Sequence, residues 1–381
     1  MRLLLLLSVL LLSISGFAQK YYLFVGTYTE GPLSNGPSKG IYVYQFDAAT
    51  GDATPVSTIA TDNPSYLTLS PDGKFVYCAN ETDGAKPGGV SAFSFDKSSG
   101  QLKFLDKQSS GGDDPCYITV DAHRKWAMVA NYGGGSFGCL PIHADGSVGA
   151  MTQFVQHTGK GATSRQEKPH VHSTILSSDE KYLVVSDLGL DQLTTYRFNA
   201  AAASHPLTPV ADSLASLPSG SGPRHTSFAS GKPYVYLISE LSGTVNVFQN
   251  TNGKLSSIQR VSSHPEGYKG DIGSADIHVG PGGKFLYASN RGDANSIAIF
   301  AIDPATGKLS IKGFQSTMGK GPRNFMIDPS GKFLLVGNQR SNSVIIFRID
   351  PTTGLLTDTG KKLEAPAPVC LKMGPRVPAA K

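Results

Sequence analysis

A cassette about fifty residues long recurs along nearly the whole chain, and no other feature restricts the fold so strongly. Its core reads Pro, a few alternating apolar residues, a turn of the type Pro-Asp-Gly-Lys, an apolar-aromatic run, then an acidic residue or Asn. The clearest copies are PSYLTLSPDGKFVYCANE (Pro64 to Glu81), DIHVGPGGKFLYASNR (Asp276 to Arg291) and PRNFMIDPSGKFLLVGNQR (Pro322 to Arg340). Weaker copies begin at Pro115, Pro169 and Pro223. A repeat of this length, built from short β-prone runs, points to an all-β ring of blades, a β-propeller.

One unit shows how a blade is assembled. YLTLS is a β-branched and apolar run, PDGK is a turn, and KFVYCAN is a second run. VSAFSFD alternates as a half-buried strand does, and QLKFLDKQ follows after the Ser-Ser-Gly turn. Each unit is therefore read as four antiparallel strands, A to D from the axis outward. No stretch carries a sustained helical period with caps. Six units start with a full strand A, at Pro64, Pro115, Pro169, Pro223, Ala275 and Pro322. The N-terminal region instead begins with a strand-B pattern, YYLFVGTYT, and its missing strand A is PAPVCLK near the far end. The expectation is seven blades, the C-terminal strand completing the N-terminal blade. Such a shared blade closes the circle and leaves no unpaired strand edge.

Gly and Pro are abundant but not clustered into a linker, so residues 19–381 read as one propeller domain. Ahead of it, Arg2, the apolar Leu3 to Leu12 and Gly16-Phe17-Ala18 read as a secretory signal over residues 1–18. The apolar stretch is short for a bilayer span, so no stable membrane insertion is expected after cleavage. The predicted destination is the periplasm or the outside of the cell. A net charge of +5 without basic runs speaks against nucleic acid as a partner. The four cysteines fit no metal spacing, sit in apolar runs and read as buried hydrophobes, although export permits disulfides. Oligomeric state is not readable.

Closure turns scattered polar residues into a cluster. The start of every strand A and the end of every strand B should ring one mouth of the channel. Strand-A starts contribute His170, His172, Arg224, His225, Asp276, His278, Arg323 and Asn324. Strand-B ends contribute Glu81, Asn131, Asp187, Glu240, Arg291 and Arg340. By unit alignment His170, Arg224, Asp276 and Arg323 share one position, and His172 and His278 another. So many Arg, His and Glu at one opening suit an anion: Arg offers a planar fork to carboxylate or phosphate, and a His or Glu beside it can move a proton. His170, His172 and His278 have the nitrogens for zinc, but no carboxylate or thiolate spacing supports a metal, and neither metal nor cofactor is expected. YGGGSFG (Tyr132 to Gly138) lacks the ending of a phosphate loop and reads as a flexible B–C loop over the mouth. No G-x-S-x-G elbow is present. Asn80-Glu81-Thr82 matches a glycosylation sequon by accident of composition.

In combination, LFVGTYT, KGIYVYQFD, NPSYLTLSPDGKFVYCANE, VANYGGGS, KPHVHS, GPRH, ISEL, YASNRG and GPRNFMIDPSGKFLLVGNQ resemble the seven-bladed lactonase family, whose best-known activity is 6-phosphogluconolactonase. The resemblance covers nearly all of the chain after residue 18. A fungal member of the superfamily is a muconate lactonizing enzyme with a His, two Arg and a Glu at motifs similar to KPHVHS, GPRH, ISEL and SNRG. The resemblance thus implies catalytic roles for His172 (or His170), Arg224, Glu240 and Arg291. His170, His225, His278, Arg323 and Asn131 would then contact substrate. The implied activity is hydrolysis of the ring ester of a sugar lactone, an anionic or sugar small molecule. A muconate-type cyclising reaction and a non-catalytic binding propeller are the alternatives. The signal peptide departs from the family pattern, since 6-phosphogluconolactone is a cytosolic intermediate.

Overall fold

The recurring turns do what their residue types require. In the computed structural model, which describes residues 19–378, Gly73 of Pro-Asp-Gly-Lys sits at φ +63°. Asp72 Oδ1 accepts the Lys74 N–H (3.0 Å), and Ser70 Oγ accepts the Phe75 N–H (2.9 Å). An acceptor ending strand A thereby receives the first N–H of strand B. Asp121, Ser177 and Asp328 do the same for Trp126, Tyr182 and Phe333. The Asp47, Asp303 and Asp350 carboxylates fold the C–D turns by accepting N–H groups two residues on.

These turns join seven four-stranded antiparallel blades, one of which carries a fifth short strand. Blades 2 to 7 start with inner strands Pro64–Leu69, Pro115–Val120, Val171–Leu176, Pro223–Phe228, Ser274–Val279 and Pro322–Ile327. Blade 1 is the composite the sequence implied: Pro368–Arg376 lies inside Lys20–Thr27, followed by Gly40–Asp47 and Ala53–Ala60. Past that pairing, the Val377 N–H donates to the Lys20 carbonyl at 2.9 Å. Blade 4 departs from the pattern, because its outer strand is split into Leu207–Pro209 and Ala215–Ser216, both paired with Gln192–Phe198. Among the described residues the only helical pieces are 3-10 turns at Pro281–Gly283 and Gln339–Ser341, and no helix is long and apolar enough to cross a membrane. The proposed signal peptide lies outside the described residues.

The core is a set of apolar seams between blades. Strand B is buried along nearly its whole length, and completely in Trp126–Asn131 and Phe333–Asn338, whereas outer strands such as Gln101–Ser109 alternate exposed with half-buried. Tyr22 and Phe24 of blade 1 meet Phe95 of blade 2 edge-on, each with centroids 4.9 Å apart. Truncating Phe95 to Ala would empty that seam at a cost of roughly 3–5 kcal/mol. Such seams fix the tilt of each blade and hence the position of every inner strand around the channel.

One irregularity recurs in all seven blades. Near the start of strand A the pairing register with strand B slips by one residue. The extra residue of such a bulge is re-aimed away from the ladder. It is Val369, Ser65, Cys116, His172, Arg224, Ala275 and Arg323 in blades 1 to 7.

Candidate active site at one mouth of the channel

Two concentric rings of side chains build one mouth. The upper ring is the first residue past each strand B: Tyr28, Glu81, Tyr132, Leu188, Glu240, Arg291 and Gln339. The lower ring is the set of bulge residues. Between them lies a cavity of about 780 Å³, lined by Tyr28, Glu81, Tyr132, Glu240 and Arg291 from the upper ring and by Cys116, His172 and Arg323 from the lower. Asp114 and Arg165 reach it from D–A loops.

Glu240 is the electrostatic centre. Its Oε2 accepts from Arg224 Nε (2.9 Å) and lies 2.9 Å from Arg291 Nη2, while Oε1 accepts from Arg165 Nη2 (3.0 Å). Burial by itself would push this carboxyl up. Arg291, Arg224, Arg165 and Arg323 outweigh burial and hold it well below the usual carboxylate range. Arg291 is in turn pushed down to about 10, by burial and by its arginine neighbours, against the pull of Glu240. Its Nε donates to the Gly273 carbonyl (2.9 Å), which fixes the plane of the fork. Arg224 is completely enclosed and also donates to the Ala275 carbonyl (2.5 Å).

His172 Nε2 is 4.0 Å from Glu240 Oε2, and its Nδ1 is 3.6 Å from Cys116 Sγ. Burial, then Arg224, His225 and Arg323, push the imidazole well below its ordinary value, so it is neutral near pH 7. Burial keeps Cys116 a thiol. Across the mouth, Glu81 Oε1 accepts from the Tyr28 hydroxyl (2.8 Å), with Arg323 Nη2 at 3.8 Å. Below the two rings the channel is plugged. Tyr66 stacks on Tyr117 (4.0 Å), and Asp276 binds His225 Nδ1 (2.8 Å), His278 Nε2 (2.9 Å) and the Asn324 amide.

The predicted residues fall into different places. His172, Glu240, Arg291 and Arg323 line the cavity, and Arg224 lies directly beneath, bonded to Glu240. His225 belongs to the plug, where burial pushes it down to about 3. Asp276 and Asn324, also expected at this mouth, lie in the plug with it, and three more of the predicted substrate contacts are off the cavity wall. His278 opens into a second cavity at the opposite end of the channel, among the A–B turns, because it is five residues into its strand. His170 is buried, stacks on Tyr132 (4.4 Å) and lies with Nδ1 3.0 Å from the Tyr132 carbonyl. Asn131 is fully buried and donates to the Ser110 carbonyl and Ser136 Oγ, tying a loop to its blade.

The unit alignment is also corrected. Register places Val171 level with Pro223, Ser274 and Pro322, so the equivalents of Arg224 are His172, Ala275 and Arg323. Pro169 precedes the strand by two residues. Asn80 is buried, with its amide donating to the Asp62 carbonyl (2.6 Å), so the folded chain does not present that sequon. YGGGSFG is a tight turn rather than a loose flap: a Cβ on Gly133 would lie 2.4 Å from Asp114 Oδ2, and one on Gly135 2.5 Å from the Pro169 carbonyl. Among the described residues no group of three or more His, Cys, Asp or Glu side chains is arranged to hold a metal ion.

Sequence reading missed Tyr28, Tyr132, Cys116, Asp114 and Arg165 as lining residues. Tyr28 and Tyr132 were findable, since they follow strand B as Glu81 and Glu240 do. Arg165 and Asp114 lie in D–A loops without periodicity, and only the folded ring brings them in.

Comparison with known proteins agrees with this architecture. Residues 22–373 match the family described as Lactonase, 7-bladed beta-propeller. A 6-phosphogluconolactonase of Formosa agariphila is 38% identical over 84% of this chain and 90% of its own length. A 6-phosphogluconolactonase of Bacillus subtilis is 35% identical over 93% of this chain and 98% of its own. The solved structure of the Pseudomonas aeruginosa periplasmic gluconolactonase, PpgL, superposes with a TM-score of 0.89 at 37% identity, covering 94% of this chain and 100% of that one. The chain belongs to the family of seven-bladed β-propeller lactonases.

Proposed function

We propose that this protein hydrolyses the ring ester of a sugar lactone. The observation that carries the reading is Glu240 held by Arg224, Arg291 and Arg165 beside a neutral, buried His172 at an open cavity. Relatives over most of the chain are named for lactone hydrolysis. In the proposed mechanism water attacks the lactone carbonyl. Negative charge then develops on the carbonyl oxygen, where Arg291 and Arg323 present N–H donors. Glu240 fixes the orientation of the arginine forks, and Arg224 anchors Glu240 from below. His172, neutral and rigidly packed, supplies a ring N–H to the same oxygen. Preorganised donors of this kind are worth roughly 100-fold in rate or more.

The charge distribution favours a lactone without a phosphate group. Each arginine at the cavity already faces a carboxylate: three contact Glu240, and Arg323 faces Glu81. Lys86 is paired with Glu30, and Asp83 and Asp114 add further negative charge. A phosphate dianion would enter against these carboxylates, whereas sugar hydroxyls would find acceptors. Residues 1–18 are read as a cleaved signal, which places the enzyme in the periplasm or outside. The periplasmic location in the description of the Pseudomonas neighbour supports that reading. The test is hydrolysis by the purified chain of glucono-δ-lactone and of its 6-phosphate, followed by acid release. Faster turnover of the unphosphorylated lactone is expected. Turnover of neither compound overturns the reading.

A further inference from the structure

Neither Glu240 nor His172 is placed to accept a proton readily. Three arginines hold Glu240 ionised and well below the usual carboxylate range, and burial together with Arg224 does the corresponding thing to His172. The opposite wall of the cavity offers a different kind of carboxyl.

On the reading that the site hydrolyses lactones, we infer that Asp114, assisted by Glu81, is the general base that takes the proton of the attacking water. Asp114 precedes strand A of blade 3 and lines the same cavity as His172, Glu240 and Arg291. It holds a left-handed backbone, φ +50°, as do its equivalents Ala367, Asn63, Gly222 and Gly321 in blades 1, 2, 5 and 7, so the fold sets the conformation and the side chain is what differs. The equivalent residue of blade 2, Asn63, spends its side chain on structure: its Oδ1 accepts from the Thr29 and Glu30 N–H groups, and its Nδ2 donates to the Glu81 carbonyl. The Asp114 carboxylate does no such work and rests against Gly133, where any side chain would collide with it.

Glu81 supplies the independent observation. Its side chain is 10% exposed, and its Oε2 is buried on the cavity wall without a hydrogen-bond partner among the described residues. A buried, unsatisfied carboxylate oxygen is costly and marks a place where a ligand hydroxyl or water completes the shell. The charges facing Asp114 are Glu81 and Asp83 from the blade 2 B–C loop, its neighbour Asp113, and Lys168 from the loop before blade 4. Burial and the three acidic groups push Asp114 up to about 6, against the pull of Lys168. That value suits a base working near neutral pH.

The step balances. Water oxygen bonds to the lactone carbonyl carbon, one water proton passes to Asp114, and the oxyanion is held on the arginine side. Collapse of the tetrahedral intermediate breaks the ring C–O bond. The proton returns from Asp114 to the departing alkoxide, leaving a hydroxy acid.

The test is the pH dependence of glucono-δ-lactone hydrolysis by wild type, Asp114→Asn and Glu81→Gln, each checked for folding by circular dichroism and thermal melting. Wild-type kcat/KM is expected to fall tenfold per pH unit below about 6. Asp114→Asn should lower kcat by about 100-fold or more and abolish that acidic limb. Glu81→Gln removes a like charge, so the limb should move to lower pH; this variant decides the matter if Asp114→Asn does not fold. An Asp114→Asn enzyme with wild-type kcat and an unchanged limb, or one altered in KM alone, overturns the assignment of the base and leaves the lactonase reading standing. A wild-type protein inert toward every lactone overturns both.

Discussion

Glu81 and Glu240 occupy the same position in blades 2 and 5, the first residue past strand B, yet one faces three guanidinium groups within 3.0 Å and the other a tyrosine hydroxyl and one arginine at 3.8 Å. The sevenfold repeat has thus placed two like carboxyls across one opening, one enclosed by guanidinium groups and the other with a single, longer guanidinium contact and an unpartnered oxygen.

Replacing Glu240 by Gln should leave Arg224 and Arg291 confronting each other in a buried setting. Stability is expected to fall by on the order of 3 kcal/mol, read from the urea midpoint, because a buried charge has lost its partner. Lactone turnover should fall with it. Glu81→Gln keeps an oxygen for the Tyr28 hydroxyl and should cost less than about 1 kcal/mol. Equal losses from the two substitutions would contradict the assignment of Glu240 as anchor.

Arg291→Lys preserves a positive charge but not the planar fork that reaches both Gly273 and Glu240. kcat should drop about 100-fold with a smaller change in KM. Steady-state kinetics on glucono-δ-lactone measures it, and a lysine enzyme of wild-type kcat would remove Arg291 from the oxyanion role.

Acid should destabilise the fold before the buried, ion-paired carboxylates Glu240 and Asp276 titrate. His172 and His225 are neutral in the folded chain because their values are depressed from 6.5, that of His225 to about 3. The unfolded chain then binds more protons between those limits, so stability falls as pH drops below about 6.5. Each histidine contributes on the order of 1 kcal/mol per pH unit. Below about 4.5 the loss steepens as Glu240 and then Asp276, whose folded values are also depressed, begin to lose their advantage. Asp114, raised to about 6, works in the opposite sense and offsets part of this loss as pH falls below about 6. Chemical denaturation of Asp114→Asn between pH 7 and 4.5 removes that offset, and a flat profile in this variant would show the histidines charged in the fold.

All four cysteines are buried and unpaired, and burial raises every thiol above its ordinary value. A thiol reagent at pH 7 should label none in the native protein and four after denaturation without reductant. A count of two would reveal a disulfide.

Much of this architecture was legible because a propeller repeats its turn chemistry along with its hydrophobic pattern. Ser70, Asp72 and Gly73 perform one job, Asp328 and Gly331 repeat it, and the composite blade followed from an unmatched YYLFVGTYT and an unmatched PAPVCLK. The site was only partly legible, for geometric reasons. The bulge in strand A makes one residue do no pairing, so a proline is a poor register mark: Pro169 lies two residues before its strand and drew His170 into the place that belongs to His172. Strand A also runs the full depth of the channel, so a few residues of offset carried His278 from one opening to the other. Arg165 and Asp114 belong to loops whose course is set by the blades they connect, and no local pattern foretells where those loops point.

The composite blade has a consequence for how the chain comes into being. The innermost strand of blade 1, Pro368–Arg376, leaves the ribosome after every other strand of the ring, its partner Lys20–Thr27 included. Until it arrives, the nascent chain is an open arc with a vacant place at its centre, and the two walls of the cavity have no fixed spacing. Catalytic competence therefore waits on this one strand, and a ring lacking it would hold every other blade yet present no finished site.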